Sequence, residues 1–291
     1  MNMDFKSAAE LLALCEAHQL PISEVMRQRE VQLGEMTAEA VNARMQKAWE
    51  IMQSSARTPV RESIRSMGGL IGGEARKLEV HFRAGKNICG AVLQRAITYS
   101  MAVLETNASM GLIVAAPTAG SAGVVPGLLL ALQECNAFSD AQIVDAMFNA
   151  GAVGYLAMRN ATVAGAVGGC QAEVGVASAM AASAAVELLG GTPTQCLDAA
   201  STVLMNTLGL VCDPVGGLVE YPCQNRNAAG VANALTAAEM SLAGIHQLIP
   251  FDQMLEAMFV VGKRLPAELR ETALGGCAAT ESACAACRGC R

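Results

Sequence analysis

The 291-residue chain is short of charge, aromatic rings and histidine: 16% of its residues are charged, 3% are aromatic, and there are three His and one Trp. So few rings leave few platforms on which single-stranded bases could stack. The formal net charge is −6 and the linear sequence shows no Lys/Arg cluster. Nucleic acid and anionic lipid are therefore poor partners. Alternating β-branched runs are scarce, which disfavours a sheet-based fold. The longest uncharged stretch, from Glu105 to Glu134, is interrupted by Pro117 and Pro126. It reads as a loop plus a buried segment and not as a membrane span, and the N-terminus shows no signal-peptide pattern. These absences predict a soluble, cytoplasmic protein with neither membrane nor nucleic-acid partner.

What is abundant is apolar and small. Hydrophobic residues make up 53% of the chain, with 28 Gly and 16 Met, far too apolar a composition for disorder. Charge divides the chain unevenly. Residues 1–86 hold 23 charged residues, whereas residues 87–262 hold 15 in 176. Helices in so uncharged a middle must be buried on several faces or turned toward a partner subunit. The expected organisation is one catalytic unit over 1–291: a charged helical part (1–86), a charge-poor core (87–276) and a cysteine-rich tail (277–291).

The periodicity predicts an all-α protein. Ser7 with Glu10, Ser139 with Gln142, and Thr192 with Gln195 after Pro193 read as capping boxes, and Thr37 precedes another amphipathic run. Further helices are expected from about Ala228 to Leu248 and from Phe251 to about Lys263. Between them lie glycine- and proline-rich connectors: Met67–Glu74, Ala116–Gly123 with Pro126-Gly127, Val167–Cys170 and Cys212–Gly217. Loops set in an apolar region must satisfy their backbone N–H groups, and an anion is one way to do so.

Eleven cysteines in a chain read as cytoplasmic point to metal or redox chemistry more than to disulfides. Cys170, Cys212 and Cys223 each sit at a connector, spaced 42 and 11 apart, unlike the short run of a ferredoxin. Each could equally be a small buried hydrophobe. Cys15, Cys89, Cys135 and Cys196 lie in helical or apolar contexts and read as core.

At these residues the sequence resembles the alpha subunit of the iron–sulfur-dependent L-serine dehydratases. The resemblance is carried by ETNASMGLIVAAPTAGSAGVVPG (105–127), GGCQAEVGVASAMAA (168–182), CDPVGGLVEYPCQNRNA (212–228), IPFDQMLEAM (249–258) and LRETALGG (269–276). It implies a multi-helix catalytic domain whose loops surround a [4Fe-4S] cluster held by Cys170, Cys212 and Cys223. It also implies a lyase converting L-serine to pyruvate and ammonia, with an open-site iron as Lewis acid, and a separate beta chain or self-association. Some members end in a further cysteine ligand. Here Cys277, Cys284, Cys287 and Cys290 compete: distance from Gly276 favours Cys284, and the end of the chain favours Cys290. The Cys284-x-x-Cys287-x-x-Cys290 run could instead bind zinc or part of a second cluster, or form a reactive end.

Substrate contacts are expected from Asn107, Ser109, Thr118 and Ser121. Arg226, in a core this poor in cations, needs an anion: the substrate carboxylate, the cluster surroundings, or Asp213 or Glu220. No residue identifies itself as the base, and a partner chain could carry it. Pyridoxal phosphate is not expected, because the five lysines include none with a phosphate cradle beside it. A cysteine desulfidase and an iron–sulfur electron carrier are the alternative readings.

Overall fold

The computed structural model describes residues 2–287. It is 71% helical, and the described residues contain no strand. The helices are α1 (Ala8–His18), α2 (Ile22–Gly34), α3 (Ala38–Arg61), α4 (Glu74–Arg83), α5 (Gly90–Ala108), α6 (Val124–Asn136), α7 (Asp140–Asn160), the single turn α8 (Gly165–Gly168), α9 (Val176–Leu188), α10 (Pro193–Thr207), α11 (Cys223–Leu242), α12 (Phe251–Arg264) and the short α13 (Glu281–Ala286).

The charge-poor middle is explained by α9. Every residue from Val176 to Val186 is buried, and α6, α7, α10 and α11 pack around it. Its sequence, VASAMAASAAVEL, is almost all small residues, so neighbouring helices can approach from every side. One apolar core runs from Phe5 through Met258 and takes in residues of α1, α2 and α3 as well as the middle helices. No helix among the described residues is long and apolar enough to cross a membrane.

Two glycines set the close contact of α5 with the start of α6. A Cβ on Gly123 would lie 2.2 Å from the Ser100 carbonyl oxygen, and one on Gly127 would lie 2.8 Å from the Ser100 nitrogen. Pro126-Gly127, expected as part of a connector, falls inside the first turn of α6. There a proline is tolerated, because the N–H it lacks would have had no helical partner.

The caps at Ser139/Gln142 and Thr192/Gln195 are reciprocal, as expected. The cap at Ser7 differs. Its side chain accepts from the Glu10 N–H, but Glu10 reaches back to the Lys6 N–H instead. Asp252, on α12, accepts from the N–H groups of Ala8 and Ala9 at 2.8 and 3.1 Å. Helix α11 starts at Cys223 and ends at Leu242, several residues earlier at each end than periodicity suggests. The chain stops winding at Gly244, which adopts φ +87°, a left-handed conformation that suits glycine at a helix end.

Glu187, near the end of α9, is a partly buried carboxylate that accepts from Asn149 Nδ2 at 2.7 Å and from the Ser23 N–H at 3.3 Å. Burial pushes its pKa up, against the lowering effect of those bonds. The folded state thus keeps this proton to a higher pH than the unfolded chain does. The stability linked to it is complete below the unfolded carboxylate range and is lost as pH rises through the folded value. Glu187→Gln is expected to raise the thermal midpoint at pH 8 and to converge with wild type toward pH 4. A pH series of melting curves checks this, and a constant offset at every pH would refute it.

Candidate cysteine-lined active site

The connectors singled out by composition meet at one end of α9 and α11. Gln171, fully buried, is the fastener. Its backbone N–H donates to the Leu210 carbonyl at 3.0 Å and its Oε1 accepts from the Gly209 N–H at 2.9 Å. Its Nε2 donates to the carbonyls of Gly168 and Met258. This fixes the turn bearing Cys170 beside the segment leading to Cys212. The approach is close: a Cβ on Gly169, at φ +76°, would lie 2.7 Å from the Leu210 oxygen. Cys212 in turn lies along the LRET segment. Its N–H donates to Leu269 at 2.9 Å, and its carbonyl accepts from the Glu271 N–H at 2.6 Å. Cys223 opens α11 immediately after Pro222.

Glu220 ties the first connector to this group. Its buried carboxylate accepts from Ser66 Oγ at 2.7 Å and from the N–H groups of Gly68 and Leu70 at 2.6 and 2.9 Å. The 118–123 loop is held from two sides. Asn107 donates to the Ala119 carbonyl at 3.1 Å, while Asn227 donates to Gly120 and accepts from the Gly123 N–H.

The loop's hydroxyls lead to a carboxylate that sequence reading did not single out. Thr118 Oγ1 donates to Glu173 Oε1 at 2.8 Å and lies 3.0 Å from Ser121 Oγ. The other oxygen of Glu173 lies 3.5 Å from the Cys212 sulfur. Two glycines make room for this carboxylate. A Cβ on Gly165 would lie 2.5 Å from Glu173 and 2.9 Å from the Cys212 sulfur, and one on Gly120 would lie 3.3 Å from Glu173. No Lys, Arg or His among the described residues forms an ion pair with it. Burial pushes its pKa up, opposed by the Thr118 bond and reinforced by Glu271.

The three cysteines lie within electrostatic reach of one another. Burial raises Cys170 to about 11, with Arg226 pulling the other way. Burial and the neighbouring Cys170 raise Cys223 to about 12. Cys212 is raised by burial, then by Glu173, Cys170 and Cys223. Without a cofactor these are neutral thiols, and a bound metal would displace their protons. Among the described residues no three His, Cys, Asp or Glu side chains converge to hold a single ion. A cubane asks for less convergence, because each of its thiolates binds a different iron, so two buried sulfurs and a half-buried third fit that donor set.

The remaining expected residues are placed as follows. Arg226 lies 2.7 Å from Asp213 Oδ1 and donates to the Val211 carbonyl at 2.8 Å. Burial works against its charge, but Cys170 and Asp213 hold its pKa above the usual arginine value. Ser109 turns back to donate to Thr106 of its own helix. The tail folds onto the cysteine loops: the Cys277 N–H donates to Asp213 at 2.5 Å. The Cys284 thiol lies 3.8 Å from the Ala278 carbonyl, whereas the Cys287 sulfur lies where a Cβ on Gly216 would be 2.8 Å away. Cys290 lies outside the described residues. Arg270, also unsuspected from sequence, has a buried Nε without a hydrogen-bond partner. The histidines lie elsewhere, with His246 beside Asp198 and His81 lining a separate cavity.

Comparison with known proteins gives this site a context. Residues 17–278 match the serine dehydratase alpha chain family. A probable L-serine dehydratase alpha chain of Bacillus subtilis is 46% identical over 276 residues, covering 95% of this chain and 92% of the relative. The L-serine dehydratase alpha chain of Peptoniphilus asaccharolyticus is 41% identical, with 95% and 94% covered. The Escherichia coli L-serine dehydratase TdcG is 34% identical; 94% of this chain aligns with 62% of that longer protein.

Proposed function

The chain belongs to the serine dehydratase alpha chain family, and on that premise we propose that it is the cysteine-bearing subunit of an iron–sulfur L-serine ammonia-lyase. Overall, L-serine loses its Cα proton and its β-hydroxyl as water. The resulting aminoacrylate tautomerises and hydrolyses to pyruvate and ammonia. The observation that carries the reading is the meeting of two buried thiols, Cys170 and Cys212, and the half-buried Cys223 with the Thr118–Glu173 pair, at the junction of otherwise apolar helices.

Cys170, Cys212 and Cys223 would hold a [4Fe-4S] cluster, and the tail would supply a fourth sulfur at rest. Spacing favours Cys284 for that position, while Cys277, whose N–H donates to Asp213, and Cys287, whose sulfur lies against Gly216, are the tail cysteines set against the Cys212–Gly217 connector. When bound, the cluster supplies Lewis acidity for hydroxide departure. The chain's own residues bind and orient. Thr118, Ser121 and the N–H groups of their loop face the substrate, with Asn107 and Asn227 keeping that loop in place. Ser109 belongs to the same end of α5 and shapes it. Arg226, fixed by Asp213 and Val211, neutralises the thiolates and borders the substrate carboxylate. Glu173 offers a carboxylate that has no ion pair among the described residues and lies beside both Thr118 and the Cys212 sulfur, and the substrate's ammonium is the cation it receives.

A base for the Cα proton comes from a second chain. This chain aligns with 61–62% of the longer L-serine dehydratases of Escherichia coli and Haemophilus influenzae, and its likeness to relatives named as alpha chains supports a separate beta subunit. The reading places the enzyme in the cytoplasm, where thiols stay reduced.

Anaerobic purification with and without the candidate beta chain tests the proposal. The pair is expected to show a brown, iron-containing protein that releases pyruvate from L-serine. Colour without pyruvate would indicate an electron carrier, and sulfide from L-cysteine in place of pyruvate from L-serine would indicate a desulfidase.

A further inference from the structure

The linear sequence shows no basic cluster, yet the fold assembles one. Five of the 20 basic residues, Arg57, Arg61, Arg76, Arg83 and Arg95, line a single cavity of about 430 Å³ between α3, α4, α5 and α6. Helical spacing creates it. Arg57 and Arg61 are four apart on α3, and Arg76 and Arg83 are seven apart on α4, so each pair shares one helix face. Packing then turns these faces toward Arg95 on α5.

Only Glu79 and Glu134 oppose these charges among the lining residues. Glu134 is shared: Arg57 lies 3.3 Å from one oxygen and Arg95 2.9 Å from the other, which also accepts from Tyr99 OH at 2.7 Å. Glu79 pairs with Arg83 at 2.6 Å. Arg76 donates to the backbone carbonyl of Arg61, and neither arginine forms an ion pair among the described residues. Five positive and two negative groups leave a formal +3 in the cavity of a protein carrying −6 overall. Guanidinium forks match phosphate and carboxylate oxygens, and crowded like charges are relieved by a multiply charged anion.

We propose that this cavity is a binding site for a compact, multiply charged anion, a phosphate monoester or a di- or tricarboxylate, separate from the cysteine-lined site. The cavity's chemistry sets the class. Its one lining ring, Tyr99, is 6% exposed with its hydroxyl committed to Glu134, so no stacking face is offered to a nucleobase. Two unpaired guanidiniums and a third shared one match two or three negative oxygens. The occupant would bridge α3 and α4, and α4 gains most from it, because Ala75 is its only buried residue.

Titration calorimetry on the full chain with inorganic phosphate, O-phosphoserine and citrate, each at constant ionic strength, tests this. At least one probe is expected to bind saturably, and which one does so separates the phosphate from the carboxylate source. The double variant Arg61→Gln/Arg76→Gln, lying outside the cysteine site, is expected to bind that probe roughly 10-fold or more weakly. Its helical circular dichroism serves as the folding control. A single variant, Arg76→Gln, gives an intermediate loss and keeps the test open if the double variant fails to fold. Absence of saturable binding by all three probes would overturn the proposal, as would equal binding by wild type and both variants. Disappearance of binding when the beta chain is present would overturn it too, since the cavity would then be a protein interface. None of these readouts depends on serine turnover, so the site stands or falls apart from the proposed activity.

Discussion

Alanine at any one of Cys170, Cys212 and Cys223 is expected to give folded but colourless protein with neither bound iron nor serine deamination. The loss should be complete at each position. The three thiols come from separate connectors, fastened by Gln171, the Cys212–Leu269 pairing and the start of α11. No group of three or more His, Cys, Asp or Glu side chains among the described residues offers an alternative metal site. Folding should survive, because the connectors are held by backbone and amide bonds that do not use the sulfurs. Cys15→Ala and Cys196→Ala provide the contrast. Both thiols are buried in the core cluster. Their removal leaves a small cavity, costing on the order of 1 kcal/mol with iron retained. Iron analysis and the visible spectrum of anaerobically prepared protein decide the matter. Full iron in any of the first three variants would take that residue out of the ligand set.

Glu173→Gln is expected to cripple substrate recognition while leaving the protein assembled. The amide keeps an oxygen for Thr118 and nearly the same shape between Gly120 and Gly165. What it loses is the negative charge. Removing one member of a buried charge pair costs about 2–4 kcal/mol, roughly 30- to 1,000-fold in kcat/KM. The loss should fall chiefly on KM if the ammonium is held alike in ground and transition states. The sharper reading comes from two inhibitors, L-alanine and L-lactate, which differ in ammonium against hydroxyl. Wild type should prefer the ammonium compound and the variant should not. An unchanged preference, with iron content and melting temperature equal to wild type, would remove Glu173 from substrate binding.

Much of the helical architecture is legible because its signals are local. Ser139 with Gln142 and Thr192 with Gln195 announce their helices over four residues, and the same side chains close the same bonds in the fold. The low charge density of 87–262 calls for helices buried on several faces or turned toward a partner, and α9, buried throughout Val176–Val186, is of the first kind. The three connector cysteines are visible through glycine and proline at their flanks. Whatever depends on distant partners is hidden. Glu173 looks like any surface glutamate within a motif and Glu220 like an anion for Arg226; folding puts the first beside a thiol, gives the second three donors, and leaves Arg226 to Asp213. The arginine-lined cavity is silent for the same reason, since its members come from three helices spread over 39 positions. The boundaries of α11 drift because its start depends on the turn before Cys223 and its end on the φ of Gly244, neither of which periodicity senses.

The cap on α1 bears on how the chain is made. Two of the first N–H groups of α1 are satisfied by Asp252, 244 and 243 residues further along, and Leu11 and Cys15 are buried in the shared core. A ribosome releases the chain in order, so α1 emerges long before its distant cap, with α2 close behind it but α10 and α12 still to come. Until α10 and α12 have been synthesised, the part of its apolar face that they cover stays open to chaperones and to other nascent chains. Helix α1 is therefore among the last elements to be fully secured, and translation speed up to Asp252 sets how long it waits.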